Sequence, residues 1–222
     1  MVNFSYGNSK LHELAKYLSL PKRAVVSFDL PAGYTCPMAN KCKSYANRET
    51  GKITDGKDMV FRCYAASSEA AFTSVRKMRW NNFDALRGKS VNEMATLISE
   101  SLPSGVKVVR IHSSGDFFSF DYFLAWMQVA TLNPSITFFG YTKVLDYVNA
   151  PNPDNFRLVY SFGGLEDARV TNEPVCYVVA SPDVAGSLPV ACQANPSDDY
   201  DFVMAGLSFA LALHGTQPKR VS

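Results

Sequence analysis

The chain has no run of roughly 18 consecutive apolar residues, so no membrane-spanning helix is expected. Its first residues, Met1 to Asn8, lack a basic segment followed by an apolar one, and no secretory signal is expected either. The expected location is therefore the cytoplasm. Charge of one sign is not in excess: 22 basic residues face 20 acidic ones, a net charge of +2. Charge alone thus argues for neither a nucleic acid nor a membrane surface as partner. Internal repeats and low-complexity segments are absent. The C-x2-C and C-x4-C knuckles of structural zinc sites are absent too. Five cysteines, an odd number in a chain of this size, make a poor disulfide framework. In a reducing compartment they are expected as free thiols.

What is present is enough apolar residue, 47% of 222, for one domain over residues 1–222 to bury its own core. Apolar spacing predicts a short amphipathic helix over Ser9–Ser19, with Leu11, Leu14, Ala15 and Leu18 on one face. A long helix is expected from Ser67 to Leu86 and a second from Val91 to Leu102. A third is expected from Ser119 to Leu132, and a helical turn over Leu145–Val148. Strands are expected at Ala24–Leu30, Val106–Ser114, Ile136–Lys143, Phe156–Phe162 and Pro174–Ala180. Residues 47–58 are polar and read as surface loop. Ala205–Leu213 reads as helix rather than strand. Strands alternating with helices point to parallel βα units. The expected fold is α/β, an incomplete or irregular parallel (β/α) barrel or an open parallel sheet, with a cysteine-bearing loop region. Either form places its functional face at the carboxyl ends of the strands.

The cysteines are unevenly placed. Cys36, Cys42 and Cys63 are spaced C-x5-C-x20-C in loops rich in Gly, Pro, Asn and Lys. Thiolates gathered in this way suit a soft metal centre, zinc or an iron–sulfur cluster. Either usually takes four ligands. Cys176 lies in an apolar strand, where a free cysteine acts as a small core hydrophobe. Cys192 lies in a loop and is the preferred fourth ligand. His214 is the other candidate, and a Cys3His set would favour zinc. The wide spacing favours a 4Fe-4S cluster bound by Cys36, Cys42, Cys63 and Cys192, with zinc as the alternative. Lys41, Lys43 and Arg62 stand beside the thiolates and would stabilise their charge.

The strands are polar on one face. Arg110, His112 and Ser114 alternate with Val109 and Ile111, and Asp29, Lys143 and Arg157 occupy similar places on other strands. Buried charges cost several kcal/mol unless paired, so a shared polar interior implies a site. The loop Ser113-Ser114-Gly115-Asp116 follows the clearest strand, where barrel enzymes carry functional residues. The pocket candidates are His112, Ser114, Asp116 and Lys143; helix capping is the competing role for Asp116.

Several stretches resemble the gene product 88 family of phages and some bacteria. They are Leu30 to Pro37, Phe61 to Ser67, Arg110 to Phe118, Tyr141-Thr142-Lys143 and Leu213 to Pro218. Members of that family have no settled biochemical function. The resemblance implies a phage-type origin and, for a phage-encoded chain, the host cytoplasm. A weaker similarity is to radical S-adenosylmethionine enzymes. Cys63-Tyr64-Ala65 resembles the end of their cluster motif, and the Ser-Gly-Asp loop and Tyr-Thr-Lys are also similar. Those enzymes space three cysteines C-x3-C-x2-C, whereas this chain has C-x5-C-x20-C. The similarity implies their barrel and cluster rather than their reaction.

Three functions follow as expectations. The first is a 4Fe-4S protein in a redox or electron-transfer role, with an unknown redox partner or small-molecule substrate. The second is a radical enzyme with a three-cysteine cluster. The third is a zinc-stapled binding module, in which Arg76, Lys77, Arg79, Trp80 and Arg87 form a basic helix face for nucleic acid.

Overall fold

The structure, a computed structural model, describes residues 1–6, 9–180, 184, 188, 199–213 and 216–218. A short edge strand, β1 (Phe4–Ser5), precedes α1 (Ser9–Tyr17) and β2 (Val25–Phe28). The cysteine region follows and contains a small hairpin, β3 (Ser44–Ala46) and β4 (Ile53–Asp55). Three helices come next: α2 (Tyr64–Ala71), α3 (Thr73–Leu86) and α4 (Val91–Glu100). The chain then alternates through β5 (Val108–Ile111), α5 (Phe120–Leu132), β6 (Thr137–Thr142), α6 (Leu145–Val148) and β7 (Phe156–Ser161). It finishes with β8 (Val175–Val179), α7 (Asp199–Met204) and β9 (Phe209–Ala212).

The main sheet has seven strands in the order β1-β2-β5-β6-β7-β8-β9. All neighbours are parallel except β1, which pairs antiparallel with β2. The order of the parallel strands never reverses. Right-handed crossovers then put α4 and α5 on one face, and no switch-point crevice forms. That face carries Val26, Phe28, Val109, Ile111 and Phe138, packed on Met94 and Ile98 of α4 and on Tyr122 and Trp126 of α5. The other face is apolar only in part. There Val25, Val108, Phe139, Val159 and Phe209 pack on Leu11 and Leu14 of α1 and Val203 of α7. The remainder of this face carries Arg110, Tyr141 and Lys143, beside a cavity.

The sequence expectations need several corrections. The sheet is mostly parallel, but no closed barrel forms among the described residues, because β1 and β9 lie at opposite edges. The expected helix over Ser67–Leu86 is two helices, broken where Phe72 adopts an extended conformation (φ −121°, ψ 102°). The segment expected as a terminal helix is instead β9, which pairs in parallel with β8. Small apolar residues suit a packed strand as well as a helix, so periodicity alone could not separate them. The polar stretch over residues 47–58 is a loop only in part, since it supplies β4.

Candidate functional site

A cavity of about 400 Å³ lies at the carboxyl ends of the parallel strands. Its walls come from distant parts of the chain: the cysteine region, the loop after β5, the end of β6, and residues from β8 and β9. Among the described residues, all four cysteines, Cys36, Cys42, Cys63 and Cys176, line it.

The loop after β5 is set by a backbone reversal at His112, whose φ of 65° is left-handed and costly for a residue with a Cβ. The reversal ends β5 early. Strand alternation predicts the His112 ring on the same face as Arg110. Instead it meets α5: Nε2 lies 3.0 Å from the Tyr122 hydroxyl, and the ring stands edge-on to Phe117. Burial holds this imidazole down at about 3, so it is neutral at physiological pH. Nδ1 is buried without a partner.

The Ser114 hydroxyl donates to the Leu30 carbonyl (2.8 Å), and the Ser114 N–H donates to Asp29 Oδ1 (3.2 Å). These bonds tie the loop to the end of β2. Gly115 follows at φ 87°, and a Cβ there would stand 2.6 Å from Thr35 Oγ1 and 2.7 Å from Leu30 Cβ. Asp116 is buried. Its carboxylate accepts the N–H groups of Phe117 (2.7 Å) and Lys143 (2.9 Å), joining the loop to the end of β6. Burial raises its carboxyl to about 6. Asp116 is not the helix cap, because Ser119 fills that place by accepting the Tyr122 N–H at 3.2 Å.

The cysteine region crosses the mouth of the sheet. It leaves β2 at Leu30 and docks on the end of β7, where the N–H groups of Asn40 and Lys41 donate to the Gly163 carbonyl (3.3 and 2.9 Å). Cys63 stands at the N-cap of α2. The N–H groups of Ala65 and Ala66 favour its thiolate, but burial prevails and raises the thiol to about 11. Burial likewise raises Cys36 well above its ordinary value and Cys176 to about 12. Protonated thiols are thus the resting state of these three residues.

Glu69, on α2, was not singled out by the sequence and holds the site loops together. It is fully buried, and its Oε1 accepts the Ala32 N–H (2.9 Å), the Arg79 guanidinium (2.9 Å) and the Ser114 hydroxyl (3.2 Å). Arg79 also donates to the Ala65 carbonyl at 3.0 Å. The cysteine region, α2, α3 and the loop after β5 therefore meet at one carboxylate. The only signal in the sequence was an acidic residue in an otherwise small, uncharged helix, YAASSEAA. Arg62 is also clamped: the Gln217 side chain accepts its N–H (2.8 Å) and donates to its carbonyl (3.1 Å). This clamp links the segment after β9 to the segment before α2.

Lys143 reaches across the sheet and places all its donors on neutral oxygens: Ser161 O (2.7 Å), Ser161 Oγ (3.0 Å) and Phe162 O (2.9 Å). Arg110 is 8% exposed and lies over the Tyr141 ring at 5.2 Å. Of the other predicted interior charges, Asp29 is buried beside Ser27, whose hydroxyl it accepts at 3.0 Å. Arg157 does not line the cavity and bonds to the carbonyls of Pro153 and Phe156.

The metal-based functions are corrected by this geometry. Among the described residues, no group of three or more His, Cys, Asp or Glu side chains is placed to hold a metal ion. Cys36, Cys42 and Cys63 share a cavity wall without forming a coordinating group. The iron–sulfur function, its redox and radical variants and the zinc-stapled alternative are accordingly not supported. Cys192 and His214 lie outside the described residues. Two of the three basic side chains beside the thiols are engaged elsewhere: Arg62 pairs with Asp55 at 2.6 Å, and Lys41 lies 3.5 Å from Asp167. The basic helix face is corrected as well. Arg76 and Arg79 are buried and bonded within the protein, which removes two of its four cations.

No helix among the described residues is long and apolar enough to cross a membrane. No solved structure matches the chain. It is similar to the Gene 88 protein of Mycobacterium phage L5, 33% identical over 111 residues, which cover 45% of this chain and 46% of that protein. The Gene 88 protein of Mycobacterium phage D29 is 32% identical over the same shares. These matches thus span less than half the length of either relative. The family description that matches is Gene product 88, over residues 2–219, and the chain belongs to the gene product 88 family.

Proposed function

We propose that the protein binds a small molecule in the cavity at the carboxyl ends of its parallel strands. The observation that carries this reading is the construction of the cavity. Segments far apart in the chain converge on one recess of about 400 Å³, within the usual size for a small-molecule site. In this reading the sheet is an incomplete, irregular (β/α) barrel. Side chains of α1 and α7 fill one part of its concave face and leave the mouth open. The Gln217 clamp on Arg62 ties the segment after β9 to the cysteine region. Loops at the carboxyl ends of strands are where such folds carry their sites. Asp116 is the group suited to exchanging a proton with a ligand, since a carboxyl at about 6 is half-ionised near pH 6 and acts as a base at neutral pH. A thermal-shift screen with a small-molecule panel tests the proposal, run on the wild type and on Val178→Trp. Val178 lines the cavity and is only half-buried, so the larger ring fills the recess at little cost to the core. Ligands that stabilise the wild type but not the variant support the reading. A screen in which every ligand acts equally on both proteins refutes it.

A further inference from the structure

Arg110 raises a separate question. Its side chain leaves β5 on the cavity side of the sheet, and the residue is 92% buried by complement of its 8% exposure. A charge removed from water costs several kcal/mol unless it is paired and hydrogen-bonded. Yet Nε has no hydrogen-bond partner, and no carboxylate lies within ion-pairing distance among the described residues. The face of Tyr141 is its near neighbour. The nearest acidic groups favour its charge only from beyond ion-pairing distance and hydrogen-bond to neutral donors instead: Asp199 accepts the Tyr141 hydroxyl at 3.0 Å, and Asp29 accepts Ser27 and Ser114. The other buried arginines, Arg79 and Arg76, both place their charge on protein acceptors, although Arg79 Nε is likewise without a partner among the described residues. Arg79 has Glu69, and Arg76 has three backbone carbonyls. Arg110 is the exception, and it lines the cavity.

Two further cations stand on the same recess. Lys143 spends its donors on neutral oxygens and so leaves its charge uncompensated by an ion pair. Lys10, from α1, also lines the cavity, and burial and then the nearby Arg110 charge lower its pKa. Like charges gathered in a recess repel one another and are stabilised by an anion placed between them.

We propose that the cavity takes its ligand through a carboxylate or phosphate group seated on Arg110, with an apolar remainder against Tyr64, Val178 and Leu211. This rests on the reading of the cavity as a small-molecule site. The planar guanidinium fork matches either oxyanion, whereas Lys143 contributes as a point charge. The apolar remainder follows from the other lining residues, which include Phe61, Val178, Leu211 and Leu213.

Isothermal titration with phenylacetate, phenyl phosphate and the neutral phenylacetamide tests the proposal. At least one anion is expected to bind the wild type about tenfold or more tightly than the amide, as a charge-assisted contact provides. The choice between the two anions separates a carboxylate ligand from a phosphate ester. Arg110→Gln is expected to erase that preference without lowering the melting temperature, because it removes a buried charge that has no ion-pair partner. Arg110→Lys keeps the charge but not the fork and is expected to lose part of the preference. Equal binding of amide and anions overturns the anion site while leaving the cavity reading intact. An anion preference that survives Arg110→Gln overturns it too, as does a marked fall in melting temperature in that variant. If neither anion binds the wild type at millimolar concentration, the proposal also fails. The Val178→Trp screen then decides separately whether the cavity binds anything.

Discussion

Replacing Glu69 by Ala removes the single carboxylate on which the cysteine region, α2, α3 and the loop after β5 converge. The variant leaves Arg79, only 5% exposed, with an uncompensated charge. It also removes the acceptor of the Ala32 N–H and one acceptor of the Ser114 hydroxyl. Breaking a buried pair from one side costs about 3–5 kcal/mol. In a chain of this length each kcal/mol is worth roughly 2–4 °C, so the melting temperature should fall by roughly 10 °C. Urea unfolding followed by far-ultraviolet circular dichroism measures the loss directly. The pair itself contributes little, however. Burial raises the Glu69 carboxyl despite the neighbouring Arg79, so its ionisation lowers stability as pH rises from the ordinary carboxylate range towards the raised value. The double variant Glu69→Met with Arg79→Met should therefore recover most of the loss. A Glu69→Ala penalty under about 1 kcal/mol, or a double variant as unstable as the single, would refute this account of the hub.

Gly115→Ala should destabilise by more than about 2 kcal/mol, since the left-handed backbone and the contacts with Thr35 and Leu30 both oppose a Cβ; near-wild-type urea unfolding would contradict it. Asp116, raised from 3.8 to about 6, keeps its proton in the folded state after the unfolded chain has lost it, so stability should fall as pH rises from about 4 to 6, by up to about 3 kcal/mol. That slope should be missing in Asp116→Asn, and a carboxyl titrating near 4 by NMR would show the reasoning wrong. Cys63, at about 11 against an ordinary 9.0, should react with iodoacetamide about a hundredfold more slowly than an unperturbed thiol at pH 8, read by peptide mass spectrometry. Ser119→Ala should cost about 1 kcal/mol through loss of the α5 cap, and an unchanged unfolding midpoint would remove that role.

Legibility in the sequence followed the strength of the periodic signal. The spacing of Leu11, Leu14 and Ala15 predicted both α1 and its buried face. The turn over Leu145–Val148 and the strands at Val25, Thr137, Phe156 and Val175 were legible because apolar runs bounded by Pro, Gly and Asn have few other conformations. The loop after β5 was identified for a sound reason, its position at the end of a parallel strand, and Ser114, Asp116 and Lys143 do share the cavity. His112 lines the cavity too, but its ring turns to Tyr122 and Phe117, because alternation assumes a regular strand and a left-handed residue ends that regularity. The cysteine spacing showed that the thiols would be neighbours but could not show whether they would coordinate. Coordination depends on distances of a few tenths of an ångström, and no spacing rule carries those.

The sequence by itself determined the α/β class, five of the parallel strands in their order along the chain, and the loop after β5 as part of the cavity wall. Those properties are local, or follow from handedness rules that act on consecutive elements. Only the tertiary structure decided which charges found partners. Arg76 and Arg79 read as part of a basic helix face for nucleic acid, yet the fold turns them inward onto backbone carbonyls and Glu69. Arg110 lines the cavity with no carboxylate within ion-pairing distance among the described residues, and its Nε is without a partner there. Pairing of a buried charge is a through-space event between residues far apart in the chain, such as the ten positions from Glu69 to Arg79 or the 45 from Glu69 to Ser114. Its energy is set by distance and desolvation, which exist only once the chain has folded.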